Sequence, residues 1–263
     1  MHDTLRDVLS KIERPIVAMS GGVDSVTLGA VCADIDEQTL MVHAVSPAVP
    51  AEATARVRRL AEQRGWRLSV IGAGEFEDPN YRANPVNRCY HCKTALYTAI
   101  QATTQGQILS GANLDDLGEY RPGLEAARQH QVRHPFIEAS LSKAAVREIA
   151  RRYGLDEVAD LPASPCLSSR VETGIRIEAP LLGFVHSVER LLTAHLEPQT
   201  VRCRVRAAAV VIELDGMTLG SLRDGERGRI ERLIRAIPGG PERAEVRFEP
   251  YRNGSAFLTE GIR

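Results

Sequence analysis

The sequence predicts an α/β protein, a doubly wound parallel sheet followed by a small C-terminal α+β domain. Three observations predict it. Short apolar runs alternate with helical stretches from Pro15 to Gly154, the pattern of a parallel sheet covered on both faces. A paired-glycine turn joins the first strand to the first helix, where such sheets hold ligands. Beyond a proline-bearing segment the order changes to helix, two strands, helix and strand. The 263 residues suffice for one large domain or two modest ones.

Each element has a local reason. Pro15 to Met19 is an apolar run that ends in Ser20-Gly-Gly-Val-Asp-Ser25, and Val26 to Cys32 continues as an apolar helix. Leu40 to Val45 reads as the second strand. Pro50 opens a helix over Ala51 to Arg64 that closes on Gly65. Arg67 to Ile71 is the third strand, residues 93–103 a helix, and Gln107 to Ser110 the fourth strand. Ser142 caps a helix that runs to Tyr153 and stops at Gly154. Leu155 to Ile177 has no clear period and reads as an ordered functional loop and hinge, with domains expected over 1–170 and 171–263. The second domain should hold a helix near Pro180–His195, strands near Val201–Arg206 and Val210–Leu214, a helix near Leu219–Ile237 and a strand near Ala244–Phe248.

Composition narrows the function. The chain is 43% hydrophobic and 25% charged, as soluble globular proteins are. Lys plus Arg is 33 and Asp plus Glu is 34, a net charge of −1. That balance argues against a nucleic-acid coat. No apolar run is long enough to cross a bilayer, and the N-terminal residues carry no hydrophobic signal core, so the expected location is the cytoplasm. Five cysteines, an odd count without an export signal, favour metal binding or thiol chemistry over disulfides.

The turn Ser20–Ser25 lets backbone N–H groups and the positive end of a helix dipole meet a phosphate. Ala18 and Met19 lead into it, Ser20 and Ser25 can add hydroxyl donors, and Asp24 can help place Mg²⁺. The turn lacks the lysine of the GxxxxGK[ST] loop and is not GxGxxG. His43 and Ser46 close the second strand, where a nucleotide base can lie. Gly111-Ala-Asn-Leu-Asp-Asp116 closes the fourth, and Asp115 is a weaker magnesium candidate; a simple turn explains that segment nearly as well.

Cys89-Tyr-His-Cys92 and Cys166 stand in loops that face the carboxyl edge if the sheet is parallel. Three thiolates can hold three irons of a [4Fe–4S] cluster and leave the fourth open. A persulfide or sacrificial Cys166, a zinc site with His91, and inert thiols are the alternatives. Cys32 and Cys203 read as core residues. Arg202, Arg204 and Arg206 share one face of a strand and suit a phosphate or carboxylate, or simply form a solvated face. His134, before Pro135, reads as structural.

The hexapeptide SGGVDS is the signature of the PP-loop ATP pyrophosphatases, and the resemblance implies ATP cleavage between the α and β phosphates with an adenylated substrate. CYHCK, then Glu119-Tyr-Arg-Pro-Gly123, then PCLSSR, then Arg204-Val-Arg206 and Tyr251-Arg-Asn-Gly-Ser255 follow in order. Together they resemble the LarE family of ATP-dependent sulfur transferases over nearly the whole chain. The resemblance implies adenylation of pyridinium-3,5-dicarboxylic acid mononucleotide and its conversion to a thiocarboxylate, towards the nickel-pincer cofactor of lactate racemase. Some members sacrifice a single cysteine; others carry the three-cysteine pattern and use a [4Fe–4S] cluster, as expected for Cys89, Cys92 and Cys166. Carried over by motif, Ser168, Ser169 and Arg170 lie near the acyl-adenylate, Arg204 and Arg206 meet the substrate phosphate, and Glu189 is a weaker candidate. The family suggests a homo-oligomer. The apolar stretch Ala207–Val211 departs from the polar loop usual there. Rival readings are a tRNA thiolase, which would need a basic RNA surface, an ammonia-using ligase of the NAD or GMP synthetase kind, and an ATP-binding sensor.

Overall fold

A computed structural model of the chain describes residues 2–118, 122–162, 165–241, 243–252 and 255. Four strands, β1 (Pro15–Ala18), β2 (Leu40–Val45), β3 (Arg67–Gly72) and β4 (Gln107–Leu109), form a parallel sheet in the order β3-β2-β1-β4. The order reverses at β1, so the crevice beyond the carboxyl ends of β1 and β4 is the switch point where such sheets bind ligands. The helices of this part are α1 (His2–Leu9), α2 (Val23–Ile35) and α3 (Ala51–Arg64), then, after α4 (Pro79–Arg82), α5 (Arg88–Thr103), α6 (Pro122–Gln129), α7 (Pro135–Glu138), α8 (Lys143–Arg152) and α9 (Asp156–Ala159).

Strand alternation divides the apolar residues between two faces. Val17, Met41 and Leu109, paired across the sheet, join a core cluster with α1, α2, α3 and α8. Ile16, Val42 and Ile108 face the other way, against Tyr97 and Ile100 of α5. Helix α2 is buried from Ser25 through Cys32, as expected of a helix apolar all round. Helix α8 buries Val146, Ile149 and Ala150, one stripe, and the Ser142 hydroxyl caps it by accepting from the Ala145 N–H. Gly65 ends α3 at φ 65°, a conformation glycine adopts without cost.

The second unit carries β5 (Val201–Val205), β6 (Ala209–Leu214) and β7 (Glu245–Pro250), with β5 antiparallel and β7 parallel to β6. Its helices after α9 are α10 (Ala179–Leu196), α11 (Gly216–Ser221) and α12 (Asp224–Arg235). Among the described residues no helix is long and apolar enough to cross a membrane.

Several local expectations are revised. The helix expected from Lys93 begins at Arg88, which puts Cys89 and Cys92 in its first two turns. The helix expected over Leu219–Ile237 is two, because Asp215 caps an earlier one by accepting from the Thr218 N–H at 3.0 Å and the chain extends again at Leu222. The segment after Leu155 holds α9 and a 3₁₀ turn, Leu167–Arg170. The apolar Ala209–Val211 is no loop but the buried start of β6, and only Ala207 and Ala208 turn the chain. The two compact units divide at 164/165 rather than after 170, and residues 79–86 belong to the second. Side chains explain this: the Tyr81 hydroxyl meets Ser168 Oγ at 2.7 Å, and Asn84 Nδ2 donates to the carbonyls of Val171, Glu172 and Ile175 at 3.3, 2.8 and 3.0 Å.

Candidate functional site

In the first unit the glycine turn sits at the switch point. Ala18 ends β1, Met19 is buried, and Gly21 takes φ 84°. A Cβ on Gly21 would lie 3.0 Å from the Ala53 carbonyl oxygen and 3.1 Å from Val57, so α3 presses directly on the turn and only glycine fits. Ser25 Oγ accepts from the Ser20 N–H at 3.0 Å and donates to the Gly22 carbonyl at 3.2 Å. No side chain caps α2 at Gly22. The turn is therefore braced from inside, and the start of α2 carries the positive end of its dipole to the edge of the sheet. Arg56 of α3 donates to the Gly21 carbonyl at 2.9 Å.

Asp24 points to the loop after β4. Its Oδ1 accepts from Asn113 Nδ2 at 3.1 Å, and its Oδ2 pairs with the ammonium of Lys143 at the start of α8. The Lys143 N–H donates to Asp115 Oδ2 at 3.0 Å. Gly111 packs against the same turn, since a Cβ there would lie 2.8 Å from the Asp24 carbonyl carbon. Lys143 and Asn113 escaped the sequence reading. Asn113 lay within the segment singled out, but the only signal for Lys143 was its place one residue after the capping Ser142. Because Lys143 already occupies the Asp24 carboxylate, Asp24 and Asp115 do not face an open cation position, and the pair fits a resident magnesium poorly.

His43 is buried, with Nδ1 2.8 Å from the Met19 carbonyl oxygen and Nε2 2.9 Å from Thr54 Oγ1. Both ring nitrogens are engaged, so His43 ties β1 to α3 and forms wall. Burial pushes its pKa below the ordinary imidazole value. Ser46 turns the chain after β2, accepting from the Ala48 N–H at 3.2 Å.

Cys89 and Cys92 lie at i and i+3 in α5, on one face, and both are half-buried. That spacing and exposure suit two thiolate ligands of a cluster. Cys166 belongs to the second unit. Among the described residues neither unit by itself gathers three His, Cys, Asp or Glu side chains about a metal. His91 Nδ1 faces Asp78 at 3.5 Å. Burial pushes the thiol pKa values of Cys32 and Cys203 up, which fits core residues. Glu119, Tyr120 and Arg121 lie outside the described residues. Gly123 leans on α5: a Cβ there would lie 3.2 Å from Lys93 Cγ.

In the second unit Ser168, Ser169 and Arg170 are buried. Arg170 forms a two-pronged ion pair with Glu189 at 3.0 and 3.1 Å. Arg202 and Arg204 share a face of β5 and Arg206 follows it, and Glu213 and Glu249 meet the last two. Arg204, 4% exposed, donates to Glu213 at 3.0 Å, to the Ser169 carbonyl at 3.0 Å and to the Arg252 carbonyl at 3.3 Å. Arg206 bridges Glu213 at 3.3 Å and Glu249 at 3.5 Å and stays 28% exposed on its side chain, while its buried Nε has no hydrogen-bond partner among the described residues. The Ser255 hydroxyl also reaches Glu213. Arg202 stacks over Tyr251. Asn253 and Gly254 of the last motif lie outside the described residues.

No family model matches the chain. It is 36% identical to the uncharacterized protein slr1717 of Synechocystis sp., over 81% of this chain and 80% of that protein. It is 29% identical to the pyridinium-3,5-bisthiocarboxylic acid mononucleotide synthase of Lactiplantibacillus plantarum, over 82% and 80% of the two chains. An uncharacterized protein of Methanocaldococcus jannaschii is 26% identical over 78% of this chain. With the parallel sheet, the glycine turn and the ordered motifs already in place, these relatives show that the chain belongs to one family with the Synechocystis protein and is similar to the Lactiplantibacillus synthase.

Proposed function

We propose that this chain is an ATP-dependent sulfur transferase that adenylates a carboxylate and converts it to a thiocarboxylate, with pyridinium-3,5-dicarboxylic acid mononucleotide as the carboxylate. The observation that carries the reading is the braced glycine turn at the switch point, with Lys143 and Asp24 beside it, in a chain related to a thiocarboxylate synthase. A carboxylate is a poor electrophile. Attack of its oxygen on the α phosphorus of ATP expels pyrophosphate and leaves a mixed anhydride with AMP. A sulfur nucleophile then attacks the acyl carbon and AMP departs with the oxygen, so one C–O bond becomes C–S. The backbone donors at the start of α2 steady the phosphate charge that develops. Lys143 can turn from Asp24 to the triphosphate, and magnesium enters with the nucleotide.

Cys89, Cys92 and Cys166 would hold a cluster of the [4Fe–4S] type, which when bound would supply sulfide beside the activated carboxylate. Arg206, whose side chain is partly exposed, would meet an anionic group of the substrate more readily than the buried Arg204. Purified protein given ATP and the dicarboxylate should release pyrophosphate, and Asp24→Ala or Ser25→Ala should abolish that release in a folded protein. Normal release by both folded variants rejects the adenylation reading. Nucleotide binding with no carboxylate-dependent pyrophosphate favours the sensor instead.

A further inference from the structure

Arg170 follows Cys166 by four residues and is buried. Its Nε and one terminal nitrogen hold both oxygens of Glu189. The other terminal nitrogen turns back on the cysteine segment. It donates to the carbonyl oxygens of Pro165 and Cys166, the latter at 3.1 Å, and to Ser169 Oγ at 3.3 Å. Glu189 is fixed in turn, accepting from the Cys203 N–H of β5 at 3.0 Å. Arg204 grips the far end of the segment through the Ser169 carbonyl. The hydrogen bonds of Arg170 run to two backbone carbonyls, one serine hydroxyl and one carboxylate of the protein itself, the arrangement of a group that holds a loop rather than one that receives a ligand.

We propose that Arg170 and Glu189 are positioning residues for Cys166. They fix the backbone on either side of that cysteine and so set where its sulfur is presented. The inference rests on the reading of Cys166 as the residue that gives or holds the sulfur. A buried ion pair is weak support for stability, because desolvation offsets its attraction. Its use here lies in the geometry it imposes on two consecutive carbonyls, and a guanidinium's fixed fork does this where an ammonium does not.

The test uses the full chain with Arg170→Lys, Glu189→Gln, and the double variant Arg170→Met/Glu189→Leu. The double variant leaves no buried charge unpaired and keeps the test open if a single variant fails to fold. A misplaced reacting group costs about a hundredfold. We expect kcat for thiocarboxylate formation to fall by that factor, while KM for the carboxylate moves less than about threefold. Alkylation of Cys166 by iodoacetamide, followed on its own peptide by mass spectrometry, should become about tenfold faster as the segment loosens. An unchanged alkylation rate in a folded variant overturns the proposal. So does a rise in KM with kcat kept, which would make Arg170 a substrate anchor. Full sulfur transfer by Cys166→Ala overturns the reading beneath it, and is told apart from failure of the clamp by the alkylation rates.

Discussion

At the scale of single residues, Lys143 is the clearest addition that the folded chain makes to the glycine turn. It reaches Asp24 across 119 positions of sequence and puts a cation beside the glycine turn. Lys143→Met should lower pyrophosphate release about ten- to a hundredfold, the worth of a charge-assisted bond. A coupled pyrophosphate assay giving parental rates would remove it from the machinery. His43 makes a prediction about pH. Its folded pKa lies below the unfolded value of about 6.5, so the unfolded chain binds protons more tightly. The stability His43 contributes is fully present above about pH 6.5 and is lost as pH falls through the lowered folded value. Thermal unfolding measured from pH 7.5 downward should show that loss, and His43→Asn should flatten the slope. His134, lowered chiefly by burial as well, would leave a residual slope. An equal slope in parent and variant would acquit His43.

At the scale of elements, β5 shows how a sequence pattern acquires two meanings. Alternation puts Arg202, Arg204 and Arg206 on one face, but β6 and β7 bring Glu213 and Glu249 against Arg204 and Arg206. Arg204→Ala would leave Glu213, 1% exposed, without its buried guanidinium partner. Breaking such a pair costs about 3–5 kcal/mol, so this variant should show a plain fall in melting temperature. Arg206→Ala should cost little stability and weaken carboxylate binding instead, about ten- to a hundredfold. Calorimetry with both variants separates the roles; equal loss of stability in the two would make Arg206 part of the frame. The same logic governs the turn, where α3 leaves no room for a side chain on Gly21 and the loop after β4 packs its Gly111 on α2.

At the scale of the whole molecule, two units are joined by a chain that passes between them near residues 78, 86 and 164. The cysteine pair belongs to one unit and Cys166 to the other. Protein purified without oxygen should contain iron and acid-labile sulfide, and alanine at Cys89, Cys92 or Cys166 should remove both the colour and sulfur transfer. Full transfer by the Cys89 and Cys92 variants, with loss only at Cys166, would leave a single sacrificial thiol. By itself the sequence determined the order of the strands, the limits of β2 and α3, and the glycine turn between β1 and α2, because these depend on local periodicity, caps and glycines. Only the tertiary structure decided that Lys143 meets Asp24, that Tyr81 and Asn84 tie residues 79–86 to the second unit, and that Arg170 and Arg204 are engaged inside it. The physical reason is that a charged side chain's role depends on what covers it, and the groups that cover these come from distant parts of the chain.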